Sequence, residues 1–462
     1  MTQHDGLDSR NGQAQNVRAI CDILENGPHC TKFPATQCES IPLGDTVEEF
    51  GRPSECDEQI LYLLSSENRT ISMTNSGFQI MRRLTYFIST IWLVLLVSGC
   101  QPGANSSNEI VIGHFASMTG SEATFGQSTD NGIKLAVDEI NEAGGIDGKK
   151  IRLITYDDKG DAREAGTAVT RLTTRDGVAA VLGEVASGLS LAGAPVCQES
   201  GIPMVSPSST NPKVTEIGDM IFRVCFIDPF QGSVCAKFAR EHEGLKAGKA
   251  AILTDQASPY SVGLQEEFEK AFEKLGGKVV SKQTYQGGDQ DFSAQLTAIR
   301  SSEPDIVFVP GYYTDVGNVA LQARKLGLAT PMLGGDGWDS SKLGEIAGSS
   351  IDGCFYSNHY SHEDPNPRVQ EFIRKYSERH HQTPDGLAAL GYDAARILFE
   401  ALKRAKSTDG KALAAELAKT KDFDGVTGKI SIDADRNAVK SAVILEMKDG
   451  MPKYVTTIQP GA

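Results

Sequence analysis

Short β-rich apolar runs alternate with segments of helical period through most of residues 109–333, and this alternation restricts the chain to an α/β fold with parallel sheets. The clearest unit is 178–210. Apolar runs at 178–182 and 202–205 flank a helical stretch. Each run opens into small and hydroxyl residues: Ala186-Ser187-Gly188 after the first, Ser206-Pro207-Ser208-Ser209-Thr210 after the second. In an open parallel sheet, ligands sit outside the carboxyl ends of the strands. A helix N-terminus there carries free N–H donors and partial positive charge. Ser187 and Thr210 therefore flank a place suited to a small carboxylate. Taken alone, they are better read as helix N-caps, and it is the rest of the chain that favours the ligand site.

The pattern continues on both sides of this unit. A strand is expected at 108–116, then a Gly/Ser/Thr loop at 118–127 carrying one aromatic, Phe125. Ile133, Ala136, Val137 and Ile140 follow at helical spacing. After Met220–Val224 the segment around Asp228-Pro229 interrupts the alternation. A second series then runs from a helix at 231–243 to a strand at 331–333. Beyond residue 357 come helices near 367–378, 387–403 and 411–419, expected to return onto the first lobe, and final strands near 426–432, 441–447 and 453–457 that would finish the sheets. The expected fold is two doubly wound α/β lobes joined by three hinge crossings, near 227–228, 356–359 and 438–440. Lobe 1 comprises 109–227 plus 357–438; lobe 2 comprises 228–356 plus 439–462.

Three strand ends of the second series carry distinctive chemistry. They lead into Ser258-Pro259-Tyr260, Gly311-Tyr312-Tyr313 and Gly334-Gly335-Asp336-Gly337-Trp338. Tyr260 and Tyr312 offer phenols and ring faces, which attract ammonium groups where water is excluded. Asp336 offers a carboxylate, although Asp-Gly is also ordinary turn chemistry. One jaw would supply donors for an anion and the other an acid for a cation, which together suit a zwitterionic amino acid.

The net charge of −15, without basic runs, argues against nucleic acid as a partner. Met81-Arg82-Arg83, an apolar stretch at 84–97 and Ser98-Gly99-Cys100 read as a secretory signal at 81–99. Val97-Ser98-Gly99-Cys100 resembles a bacterial lipobox, which makes Cys100 the expected lipidation site. A polar tether follows at 100–108. The 1–80 segment reads as an upstream over-call or a disordered leader. Cys197, Cys225, Cys235 and Cys354 lack CxxC spacing, so zinc is not indicated; they are either a disulfide pair plus thiols or all buried thiols.

Four passages carry a family likeness: GHFASMTGSEATFGQSTDNGIKLAVDEINEAGGIDGKKIRLITYDD, VLGEVASGLSLAGAPV with GIPMVSPSST, TDQASPYSVGL, and VPGYYTDVGNVALQARKLGL with GGDGWDS. They resemble the type I periplasmic binding proteins that deliver leucine, isoleucine and valine to ABC transporters. The resemblance implies a ligand carboxylate on Ser187, Ser208 and Thr210, an ammonium on Tyr312 and Asp336, and Tyr260 closing from the second lobe. Phe125 and Val185 would border the ligand side chain. It implies an ABC permease as partner, an exported lipid-anchored monomer, and no cofactor. The cysteine pair that bridges strand ends in near relatives is replaced by Gly160 and Ala186.

An enzyme is not expected. Gly188-Leu189-Ser190-Leu191-Ala192 is no nucleophile elbow, and neither a P-loop nor HExxH occurs. His359 and His362 read as exposed polar residues at a lobe crossing. The same fold used as a sensor of amides or small carboxylates is the alternative to transport.

Overall fold

The structure is a computed structural model that describes residues 108–461. The 1–80 leader, the signal at 81–99, Cys100 and the tether to residue 107 lie outside the described residues.

The first sheet contains β1 (Glu109–Ala116), β2 (Lys150–Asp157), β3 (Ala180–Leu182), β4 (Met204–Ser206) and β5 (Ile221–Arg223). Their order is β2-β1-β3-β4-β5 and every pairing is parallel. The three short strands β3 to β5 are wholly buried, as expected where helices cover both faces of a parallel sheet. Between the strands run α1 (Ala123–Glu142), α2 (Ala162–Thr174), α3 (Ser187–Ser200) and the short α4 (Lys213–Glu216). Asp161 caps α2 by accepting from the N–H groups of Arg163 and Glu164, at 2.8 and 3.2 Å.

Helix α1 starts earlier than its sequence suggests. Residues 123–127, expected as loop, are its first turn. Gly126 and Phe125 explain this. A Cβ on Gly126 would lie 2.2 Å from the Ser117 carbonyl, so only glycine admits this approach. Phe125 is buried edge-on against Tyr312 and Tyr313. Tertiary packing here outweighs the poor helix propensity of the local residues.

The second sheet has the order β15-β14-β10-β9-β8-β6-β7. Its parallel part contains β6 (Lys249–Asp255), β7 (Lys278–Tyr285), β8 (Ile306–Phe308), β9 (Met332–Gly334) and β10 (Phe355–Asn358). Strands β14 (Ala442–Lys448) and β15 (Met451–Ile458) add antiparallel to its edge. The helices are α5 (Asp228–Glu241), α6 (Pro259–Lys274), α7 (Ser293–Ser301), α8 (Tyr313–Lys325) and α9 (Ser341–Ala347). Asp228-Pro229 does not break the pattern: it begins α5, with proline in the first turn where its missing N–H costs nothing.

Helices α10 (Pro367–His380), α11 (Gly386–Ala405) and α12 (Gly410–Leu417) follow β10. Helix α11 packs on α1. The approach is close: a Cβ on Gly132 would sit 2.0 Å from the Ala388 carbonyl. Strands β11 (Phe423–Gly425), β12 (Gly428–Ile432) and β13 (Ala438–Val439) do not extend either large sheet, contrary to the expectation for 426–432. They form a separate antiparallel sheet. It is pinned to α11 by Asp393, whose carboxylate accepts from Val426 N and Thr427 N, each at 2.8 Å.

Cys197, Cys225, Cys235 and Cys354 are all buried and unpaired. Burial pushes the Cys225 and Cys235 thiols up to about 12, so they behave as small apolar side chains.

Candidate functional site

The parallel registers bring the carboxyl ends of β3 and β4 in one sheet, and of β6, β8 and β9 in the other, to loops that meet. Phe125, Val185, Ser187, Ser208, Tyr260, Tyr312 and Asp336 line one cavity, joined by Gly337 and Leu387. Thr210 is not among the lining residues. It is fully buried, its carbonyl accepts from Asp228 N at 3.0 Å, and its hydroxyl lies beside the Asp228 carboxyl.

Ser187 opens α3, whose N-cap residue Ala186 provides no side-chain cap. The first N–H groups of the helix are therefore left to other acceptors. The Ser187 hydroxyl accepts from Asn211 N at 3.2 Å. Below it, Ser208 Oγ donates to the Val185 carbonyl at 3.3 Å. The Glu184 carboxyl fixes this wall by accepting from Ala186 N and, at 3.1 Å, from Ser117 N. Burial, reinforced by the Asp158 carboxyl, holds Glu184 well above the usual carboxylate range.

Asp336 belongs to a 3-10 turn after β9 and is 6% exposed. Its Oδ1 accepts from Gln231 Nε2 at 2.8 Å and from the Tyr260 hydroxyl at 3.1 Å. His359 Nε2 lies 3.1 Å from Oδ2. Burial lowers His359 to about 4, so at neutral pH the ring is uncharged and donates from Nε2. The three groups that hold Asp336 are thus neutral, and no Lys or Arg among the described residues pairs with it. His359, expected to be exposed, is instead buried, stacked on Phe226 with centroids 3.7 Å apart.

Tyr260 lies flat on Tyr312, with ring centroids 5.2 Å apart and 5° between planes. Its hydroxyl also accepts from Gly337 N at 3.1 Å. The remaining space is small, about 10 Å³, which is the room of one water. The lobes are therefore closed. Asn211 Nδ2 donates to the Pro259 carbonyl at 2.7 Å, Thr314 Oγ1 to the Ser121 carbonyl at 2.8 Å, and the Thr124 and Ser340 hydroxyls meet at 2.9 Å.

Gln231, His359 and Leu387 were not foreseen. They lie far from Asp336 in the chain, on α5, after β10 and at the start of α11, and no local pattern marks them.

Residues 109–451 match the family described as periplasmic binding protein. The chain belongs to that family. It is 32% identical over 352 residues to the Leu/Ile/Val-binding protein homolog 2 of Brucella abortus, a match covering 75% of this chain and 93% of that protein. Among solved structures it is similar to a leucine binding protein of Thermotoga maritima, at 39% identity and TM-score 0.73, covering 76% of this chain and 99% of the other. A second is a branched-chain amino acid transporter substrate binding protein of Streptococcus pneumoniae in complex with isoleucine. It is 34% identical with TM-score 0.72, covering 76% of this chain and all of that chain. This periplasmic binding protein is thus a solute-binding protein of the type I α/β fold and not an enzyme.

Proposed function

We propose that this protein captures an amino acid with an aliphatic or branched side chain between its two lobes and delivers it to an ABC permease. One observation carries the reading. The cavity holds a buried carboxylate, Asp336, with no cationic partner among the described residues, and its other wall contains the uncapped start of α3 at Ser187. An ammonium group would pair with Asp336, and a carboxylate would take the helix N–H groups and the hydroxyls of Ser187 and Ser208. Thr210 would support that wall from behind. Tyr312 would face the ammonium and Tyr260 would close over it. Phe125, Val185 and Leu387 offer an apolar border that suits a hydrocarbon side chain. The names of the relatives accord with this ligand class.

The closed cavity is too small to admit such a ligand without motion. Entry then requires the lobes, 109–227 plus 357–438 and 228–356 plus 439–462, to part about the three crossings. On closure water leaves, and the ionic contacts strengthen in the lower dielectric. In this reading the protein is an exported monomer held to a membrane through lipid on Cys100.

A thermal-shift screen of the twenty amino acids tests the ligand. Leucine, isoleucine or valine should raise the melting temperature, since a ligand at about 100 times Kd adds about 2.7 kcal/mol. A screen in which none of the twenty produces a shift would refute the reading. Labelled palmitate incorporated by the wild type but not by Cys100→Ser tests the anchor.

A further inference from the structure

Beyond the Asp336 cavity the lobes enclose a second, larger space of about 120 Å³ that shares no lining residue with the first. Two short segments border both spaces. Gly337 and Leu387 face the first; Asp339 and Gly386 face the second. The carboxylates of Asp339 and Asp385 approach it from opposite lobes. Asp339 accepts from the Tyr356 hydroxyl at 3.0 Å and from Gly386 N at 2.6 Å. Asp385 Oδ1 accepts from Ser128 Oγ at 2.5 Å and Ala388 N at 2.9 Å. All four donors are neutral, and neither carboxylate makes an ion pair among the described residues.

A second observation is independent of these acids. Tyr360 lines the same space, is 4% exposed, and its buried hydroxyl has no hydrogen-bond partner. Buried polar groups are almost always satisfied, so an orphaned hydroxyl on a cavity wall points to a group that is supplied from outside. Leu445 and Met447 make an apolar wall in the same space.

We propose that this space is a second ligand site, for a small aliphatic amine in its ammonium form. The ammonium sits between Asp339 and Asp385 and donates to the Tyr360 hydroxyl, and the hydrocarbon lies against Leu445 and Met447. Amino acids are poor occupants, because their carboxylate would meet two acids, with His362 the one basic side chain among the lining residues. Burial raises both carboxyls, with Asp339 reinforcing Asp385, which reaches about 7, and Asp336 reinforcing Asp339; a bound cation would favour their ionised forms.

The probe is n-butylammonium, with n-butanol as its uncharged control, titrated calorimetrically at pH 8 into the full chain and three variants. In Asp336→Asn, which removes the acid of the amino-acid cavity, one n-butylammonium site should remain, and this separates the second site from that cavity. Asp385→Asn should weaken binding by about tenfold or more, because one of two desolvated charges is lost. Asparagine keeps the α11 N-cap, so the fold survives that change. Tyr360→Phe removes a single oxygen and should weaken binding several-fold. Three results would each overturn the proposal: no saturable heat with n-butylammonium, equal binding of n-butanol, or binding that Asp336→Asn abolishes while Asp385→Asn does not.

Discussion

Asn211 and Pro259 join the two lobes directly: the Asn211 amide Nδ2 donates to the Pro259 carbonyl at 2.7 Å. Asn211 follows the β4 loop, and its own N–H donates to Ser187 Oγ. Pro259 begins α6, one residue before Tyr260. A single side chain thus links the anion wall to the helix that carries the closing tyrosine. Asn211→Ala removes the cross-lobe bond and leaves the backbone N–H in place. A neutral hydrogen bond contributes about 0.5–1.5 kcal/mol net. Leucine affinity by calorimetry should therefore fall several-fold, mostly through faster release. An unchanged dissociation rate would show that this bond does not hold the lobes shut.

Asp336→Asn tests the ammonium partner. Asparagine keeps an oxygen for Gln231 and Tyr260, so the turn should survive. Its loss leaves a ligand ammonium desolvated and unpaired, at a cost of about 3–5 kcal/mol. Amino-acid affinity measured by calorimetry should drop by at least a hundredfold, with circular dichroism unchanged. Near-native affinity would remove Asp336 from the site.

The glycines of the α1–α11 interface give a prediction about stability. Gly132→Ala would push a Cβ to 2.0 Å from the Ala388 carbonyl, and Gly391→Ala to 2.5 Å from that of Thr129. Both neighbours are backbone and cannot swing aside. Each change should destabilise by about 1–3 kcal/mol in urea unfolding. Gly166→Ala in α2 is the contrast. Its nearest atom would be 3.7 Å away, an ordinary contact, so it should gain about 0.4–1 kcal/mol. Loss of stability in Gly166→Ala equal to that in Gly132→Ala would count against close packing as the cause.

How far the sequence discloses this structure depends on whether a signal is local. The run at 178–182, the helical spacing of Ile133, Ala136 and Val137, and the hydroxyls after β4 are local patterns, and each stands where its pattern puts it. The start of α1 is not legible, because it depends on a carbonyl at Ser117 and on rings at Tyr312 and Tyr313. Gln231 and His359 escape for the same reason. Their chemistry is defined by Asp336, more than a hundred residues from one of them and across a hinge from the other. The strands expected at 441–447 and 453–457 do finish the second sheet, whereas 426–432 misleads because it has strand composition but its partners are set by Asp393 on α11.

Asp228 and His359 should give the stability opposite slopes with pH. Burial pushes the Asp228 carboxyl up to about 8, outweighing the opposing effects of the Thr210 hydroxyl and the Arg223 guanidinium. The folded chain keeps a proton there that the unfolded chain releases near pH 4. The Asp228 contribution is therefore complete below about pH 4 and is lost as pH rises toward 8. His359 runs the other way. Its folded value of about 4 lies below its ordinary 6.5, so its contribution is present above pH 6.5 and lost as pH falls through 4. Asp228→Asn removes the first titration with almost no change of shape. Relative to wild type, the variant should gain stability steadily from pH 5 to pH 8 in urea unfolding, by an amount on the order of a few kcal/mol. Relative to wild type, His359→Gln should gain stability as the pH is lowered from 7 to 4.5. A stability difference between Asp228→Asn and wild type that stays constant from pH 5 to pH 8 would mean that Asp228 is ionised in the fold, and a cation must then be sought beside it.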